Sequence, residues 1–173
     1  DIWAHLVDLH HIELKKNTRL IGILGHDVYQ DFEVFIDFQS KVIVLTRVDK
    51  KGIRIDTLAP YEVPYDSMEF ELRHHLIIVD TKVNNVRLKM ILDSGAELNL
   101  IDRQVNRKVM DKFTIIKRVN LLGVGNKEVE VLAGVMNEVQ CGNQFSEKMN
   151  TLLTSLDEIN QSFDVNVQGV LGY

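Results

Sequence analysis

Met90-Ile91-Leu92-Asp93-Ser94-Gly95-Ala96-Glu97-Leu98-Asn99-Leu100-Ile101-Asp102 is an apolar run that delivers one carboxylate into a Ser-Gly-Ala turn and then becomes apolar again. A strand that buries Met90 and Leu92 cannot carry an ionised Asp93 into a core cheaply. The carboxylate has to be hydrogen-bonded, paired or opened to a cleft. Gly95 frees the backbone to turn back sharply and leaves room for a substrate chain to pass close by. Alone, an Asp-Ser-Gly triplet is an ordinary hairpin turn, so its chemical meaning rests on its surroundings.

Just before the turn, Val86, Leu88 and Met90 alternate with Arg87 and Lys89, which buries one face of a strand. Asn84-Asn85 tolerates left-handed geometry and joins that strand in a tight hairpin to His75-Leu76-Ile77-Ile78-Val79. After the turn, Asp102 is expected to cap a short helix running through Met110. Phe113 to Leu122 and Lys127 to Val135 read as strands that bracket Gly123-Val124-Gly125-Asn126, a glycine-rich tip able to fold over a cleft. Cys141-Gly142-Asn143 reads as a turn. Ser155-Leu156-Asp157-Glu158 has the capping-box spacing and opens a short helix ahead of Ile159.

Upstream, Leu6, Leu9 and Ile12 suggest a short amphipathic helix within residues 1–17. Arg19 to Asp27 reads as an apolar strand interrupted by Gly22 and Gly25, where backbone approaches backbone. Val28 to Phe32 reads as a helical turn. Glu33 to Phe38 and Lys41 to Leu45 form a hairpin about Gln39-Ser40. Both prolines, Pro60 and Pro64, fall in one stretch and place a linker at residues 50–72.

Composition narrows the function. The 173 residues are 45% hydrophobic and 26% charged, enough for a real core, and the net charge of −5 argues against a nucleic-acid partner, which demands clustered Lys and Arg. The single Cys141 excludes an internal disulfide framework and a multi-cysteine zinc site. No apolar run reaches the roughly 18 residues of a membrane helix, so no membrane segment is expected. His10-His11 and His74-His75 raise a metal hydrolase, but neighbouring residues of a strand face opposite ways and no His-Glu-x-x-His spacing exists. Gly123-Val124-Gly125 fails as a nucleotide loop because no helix start comes after it.

The chain also repeats itself. Val167-Gln168-Gly169-Val170-Leu171-Gly172 aligns without gaps on Leu20-Ile21-Gly22-Ile23-Leu24-Gly25 at an offset of 147. The same offset pairs Leu6 with Leu153, Leu9 with Leu156 and Ile12 with Ile159. The expected organisation is therefore residues 1–49 as the closing part of a preceding repeat, the linker, and residues 73–173 as a second copy lacking its last elements. The offset places the first copy's equivalent of Asp93 upstream of residue 1.

An apolar-apolar-Asp-Ser-Gly-Ala turn (Ile91 to Ala96), a glycine-tipped hairpin behind it (Gly123 to Gly125) and a Gly-x-Leu-Gly strand further on (Gly169 to Gly172) resemble, in content and order, the retropepsin-like aspartic proteases, including their bacterial members. The resemblance implies a mostly β fold, a closed, mostly antiparallel acid-protease barrel with short helices. It also implies an aspartic-type endopeptidase in which a water between two aspartates attacks the peptide bond, with no metal or other cofactor. Carried over, Asp93 is the catalytic aspartate, Ser94 braces two active-site loops, and Gly95, Ala96 and Glu97 lie in the loop and along the substrate. Gly123, Val124 and Gly125 would form a flap, and Gly169 would pack beside the Asp loop. Because like charges at about 3 Å cannot both ionise, the chemistry needs a second carboxylate. The expected partners are a peptide or protein substrate and either a second copy of the chain or a neighbouring domain. Residues 26–47 would supply the last helix and hairpin of a barrel, within the chain or by exchange. The alternative is the same barrel kept as a non-catalytic peptide-binding or assembly module.

Overall fold

The computed structural model describes residues 6–59, 63–122 and 128–173, in two compact units that divide between Val63 and Pro64.

The first unit opens with α1 (His10–Lys16), closed by Asn17 in the left-handed conformation (φ 48°). Residues 6–9, expected in the helix, are irregular, and Leu6 is fully exposed. Residues 18–25 form no strand, contrary to the sequence reading. A strand exists only where another backbone accepts its ladder, and here Ile23 and Leu24 are about two-thirds exposed (68% and 65%). The short α2 (His26–Tyr29) comes next, then the hairpin of β1 (Phe32–Asp37) and β2 (Val42–Arg47), which pair antiparallel from Phe32↔Arg47 to Asp37↔Val42. Asp37 Oδ1 accepts the amides of Gln39 and Ser40 and so fixes the turn. Glu33 pairs with Arg54, whose segment bridges back at Val48↔Arg54.

The second unit is the β-rich body, with strands β3 (Glu71–Arg73), β4 (Leu76–Val83), β5 (Val86–Leu92), β6 (Asn99–Asp102), β7 (Phe113–Leu122), β8 (Glu128–Cys141), β9 (Gln144–Thr154) and β10 (Gly169–Leu171). They form one sheet in the order β3-β4-β5-β10-β6-β9-β8-β7, and β4 also pairs with β8. That extra pairing, from Thr81↔Cys141 to Val83↔Val139, closes β4, β5, β10, β6, β9 and β8 into a ring, with β3 and β7 as outer strands. Most neighbours are antiparallel; β10 on β5 and β6 on β9 are parallel. The interior is filled by Val79, Val83, Leu88, Met90, Ile101, Val109, Phe113 and Met136.

Local chemistry accounts for the turns. Asn84 and Asn85 carry positive φ (50° and 62°) between β4 and β5, as a tight primed hairpin requires. Gly142 (φ 57°) turns β8 into β9. The helix α3 (Arg107–Met110) is capped by Asn106, whose side chain accepts from the Lys108 amide, and not by Asp102. Asp102 instead ends β6 and is buried; its Oδ1 accepts the Gln104 amide at 2.6 Å and its Oδ2 the Leu156 amide at 3.0 Å. The expected capping box does not form at α4 (Asp157–Phe163), whose cap position is Leu156; the Ser155 hydroxyl accepts the Asp157 amide and not that of Glu158. Among the described residues no helix is long and apolar enough to cross a membrane.

Candidate active site

Parallel pairing of β10 with β5 sets Gly169 beside Met90 and Leu171 beside Leu92, so β10 runs along the strand that ends at Asp93. On its other edge β10 pairs antiparallel with β6, the strand that leaves the same turn. The Asp93 amide donates to the Leu171 carbonyl (2.9 Å), the Tyr173 amide to the Ala96 carbonyl (3.0 Å), and the Gly172 amide to the Asn99 Oδ1 (3.0 Å). The loop carrying Asp93 is thus held at its start, middle and end by one short strand.

Two glycines make this approach achievable. A Cβ at Gly169 would sit 2.4 Å from the Met90 Cε and 2.7 Å from the Leu100 carbonyl oxygen, and one at Gly172 would sit 2.4 Å from the Ala96 carbonyl oxygen. No real Cβ tolerates such distances to backbone, so both positions demand glycine. The expectation for Gly95 takes a different form. Its φ lies outside the left-handed region. Its amide donates to Asp93 Oδ1 at 2.8 Å, and an added Cβ would approach that same oxygen to 3.2 Å.

Asp93 is exposed at the top of this loop, one oxygen held by the Gly95 amide. Leu92 just before it, Leu98 further along the chain and Tyr173, whose amide bonds Ala96, are also exposed. Ser94 and Glu97 are exposed in the same loop and Ala96 is half-buried, packed against the cluster of Ile78, Ile91, Val167 and Val170. Among the described residues no partner is seen for the Ser94 hydroxyl. Gly123, Val124 and Gly125 lie outside the described residues.

Asn99, Leu171, Gly172 and Tyr173 are added to the site by the structure. Gly172 was readable from its place in the Gly-x-Leu-Gly pattern. Asn99 was not, because its value comes from bonding two distant strands: its Nδ2 donates to the Asn150 carbonyl on β9 while its Oδ1 holds Gly172. Burial pushes the Cys141 thiol up, away from the thiolate a nucleophile requires. His75 packs edge-on against Phe163 with ring centroids 5.1 Å apart, and His74 occupies the left-handed turn (φ 54°) between β3 and β4. No cluster of three metal-ligating side chains occurs among the described residues.

A retropepsin-like aspartic protease from Rickettsia conorii, solved by crystallography, aligns with 60% of this chain and 71% of its own at 16% identity, with a TM-score of 0.40. A search of curated proteins finds no match. The sequence model of the aspartyl protease family matches residues 79–173, from within β4 through β10, including the whole Asp93 loop. This chain belongs to the aspartyl protease family.

Proposed function

We propose that the chain contributes one half of an aspartic-type endopeptidase site, with Asp93 as one of two carboxylates that share a proton and a water. The observation that carries this reading is the clamping of the Asp93 loop by β10, which fixes an exposed carboxylate without burying it. In this mechanism the charged member of the pair removes a proton from the water as it attacks the amide carbonyl. The protonated member donates to the carbonyl oxygen and then helps protonate the leaving nitrogen. Both roles require that one proton be shared, so cleavage favours acid pH. Each chain carries one such loop among its described residues, so the second carboxylate comes from Asp93 of a two-fold partner or from a second barrel. Ser94 then braces the two loops against each other, Ala96 completes the loop, and Gly95 and Glu97 line the substrate, with Gly123, Val124 and Gly125 as the flap.

A single Asp-Ser-Gly loop among the described residues also supports a second reading, a peptide-binding or assembly module on the same barrel. A statine-type transition-state inhibitor separates the two. It binds a paired site and is indifferent to a lone aspartate, and Asp93→Asn abolishes both its binding and acid-pH peptide cleavage by the full-length gene product. Cleavage unchanged in Asp93→Asn refutes the assignment.

A further inference from the structure

The peptide group that holds the Asp93 backbone is itself held from its other side. The Leu171 carbonyl takes the Asp93 amide at 2.9 Å, and the next nitrogen, the Gly172 amide, donates to Asn99 Oδ1 at 3.0 Å. Both groups belong to one planar unit, and in a trans peptide the carbonyl and the N–H point opposite ways. Asn99 therefore fixes one side of the plane that Asp93 meets on the other. Asn99 is anchored in turn, because its Nδ2 donates to the Asn150 carbonyl on β9 at 3.0 Å. Asn150 carbonyl, Asn99 carboxamide, Leu171–Gly172 peptide and Asp93 amide thus form one head-to-tail series, in which each hydrogen bond polarises the next in the same sense.

Asn99 stands where the backbone ladder stops. β10 and β6 pair at Gly169↔Ile101 and Val170↔Leu100. The same register would next set Leu171 opposite Asn99, but that pair does not form, while the Asn99 backbone stays in register with Thr151 of β9. The half-buried carboxamide takes over where β6 and β10 part. The Leu171–Gly172 peptide has little room to tilt, since a Cβ on Gly172 would lie 2.4 Å from the Ala96 carbonyl oxygen and 3.1 Å from that of Leu98. We propose that Asn99 is the positioning residue of Asp93: by fixing the plane of the Leu171–Gly172 peptide it sets the direction in which the Asp93 loop leaves β5, and so where the carboxylate meets its partner and the water. The proposal rests on the reading of Asp93 as half of a paired acid site. A carboxamide suits the place because it accepts with one atom and donates with the other. An ionised carboxylate accepts at both and would turn an oxygen toward the Asn150 carbonyl. The other end of β10 carries a matching bond that serves as a control. There Gln168 Oε1 accepts the Lys89 amide at 2.9 Å, at the end of β10 away from Asp93.

The test compares Asn99→Ala, Asn99→Asp and Gln168→Ala in the full-length gene product, read by residue-level amide exchange and by kcat and KM for peptide cleavage across pH. Asn99→Ala lowers the protection of the Asp93 amide about tenfold, the worth of one net hydrogen bond. It lowers kcat and leaves KM nearly unchanged, as when only the reacting group moves. Gln168→Ala releases the Lys89 amide and leaves both the Asp93 amide and kcat as they are. In Asn99→Asp the introduced carboxyl restores both bonds while protonated, and can only accept once ionised. Its Asp93 protection, and its kcat relative to the wild type at the same pH, therefore match the wild type at low pH and fall to the Asn99→Ala level as pH rises. Neither the wild type nor Asn99→Ala shows that step. If Asn99→Ala does not fold, the titration of Asn99→Asp supplies the comparison within one variant. Unchanged Asp93 protection in Asn99→Ala, an equal loss at Asp93 in Gln168→Ala, or a pH-independent Asn99→Asp overturns the proposal. If the wild type itself cleaves no peptide, the paired-site reading fails, and the exchange measurements still decide the role of Asn99.

Discussion

Residues 9–25 and 156–172 fold the same local motif and meet different fates. Helix, left-handed cap (Asn17 and Asp164, both at φ 48°) and side-chain latch (Glu13 on the Leu20 amide, Asn160 on the Val167 amide) are reproduced in both, because each depends on contacts within about ten residues. Strand formation is reproduced in only one, because a ladder needs neighbours from elsewhere in the chain. The comparison separates what this sequence specifies locally from what it specifies through tertiary pairing, and the Asp93 loop draws on both: the Gly95 and Ala96 amides bond Asp93 within the loop, while the Asp93 amide, the Ala96 carbonyl and Asn99 bond Leu171, Tyr173 and Gly172.

Substitutions at equivalent positions sharpen that contrast. Leu156 is almost fully buried (1% exposed) and Leu9 is half-buried. Leu156→Ala should cost about 3 kcal/mol in denaturant unfolding and Leu9→Ala well under half of that; equal losses would break the comparison. Next in size, Val170→Ala should cost about 2 kcal/mol and loosen amide protection at Asp93, while Ile23→Ala leaves unfolding of the barrel unchanged. At the latch, Asn160 both accepts from the Val167 amide and donates to its carbonyl, whereas Glu13 shows only the first kind of bond. Asn160→Ala should therefore cost about 1 kcal/mol and Glu13→Ala less, read by thermal unfolding.

The smallest effect is electrostatic. Lys89, then Arg73, hold the Glu71 carboxyl below its ordinary value of 4.5, and Arg54 does the same for Glu33. A lowered native pKa favours the ionised carboxylate. Its stabilisation is fully present above the unfolded value and is lost as pH falls through the lower native one. Both groups are solvent-accessible, so melting curves should show a small loss of stability beginning below about pH 4.5. In the second unit that loss should shrink in Lys89→Met, and in the first in Arg54→Met.

Much of the barrel was legible because its signals are periodic or local. Alternation from Val86 to Met90, the Asn84-Asn85 pair and the strands after Met110 needed only period and turn chemistry. The Asp93 loop was legible from its residue types, and Gly169 from its place in the repeat. The features that escaped have one cause, dependence on a distant partner. Residues 19–25 have the composition of a strand but no ladder among the described residues. Asp102 looked like a helix cap and is instead a buried acceptor for Leu156, 54 positions on. Asn99 bridges β9 and β10 with an ordinary polar side chain that no motif flags.

The most direct test of the central claim is peptide cleavage by the full-length gene product at acid pH, wild type against Asp93→Asn, with Asp80→Asn as a control on the exposed side of β4. If Asp93 is half of a paired site, Asp93→Asn lowers cleavage by roughly a thousandfold or more, in line with loss of a paired acid-base group and the water it holds, while Asp80→Asn and added chelator leave it unchanged. Cleavage that survives Asp93→Asn, or that disappears with chelator, would contradict that claim.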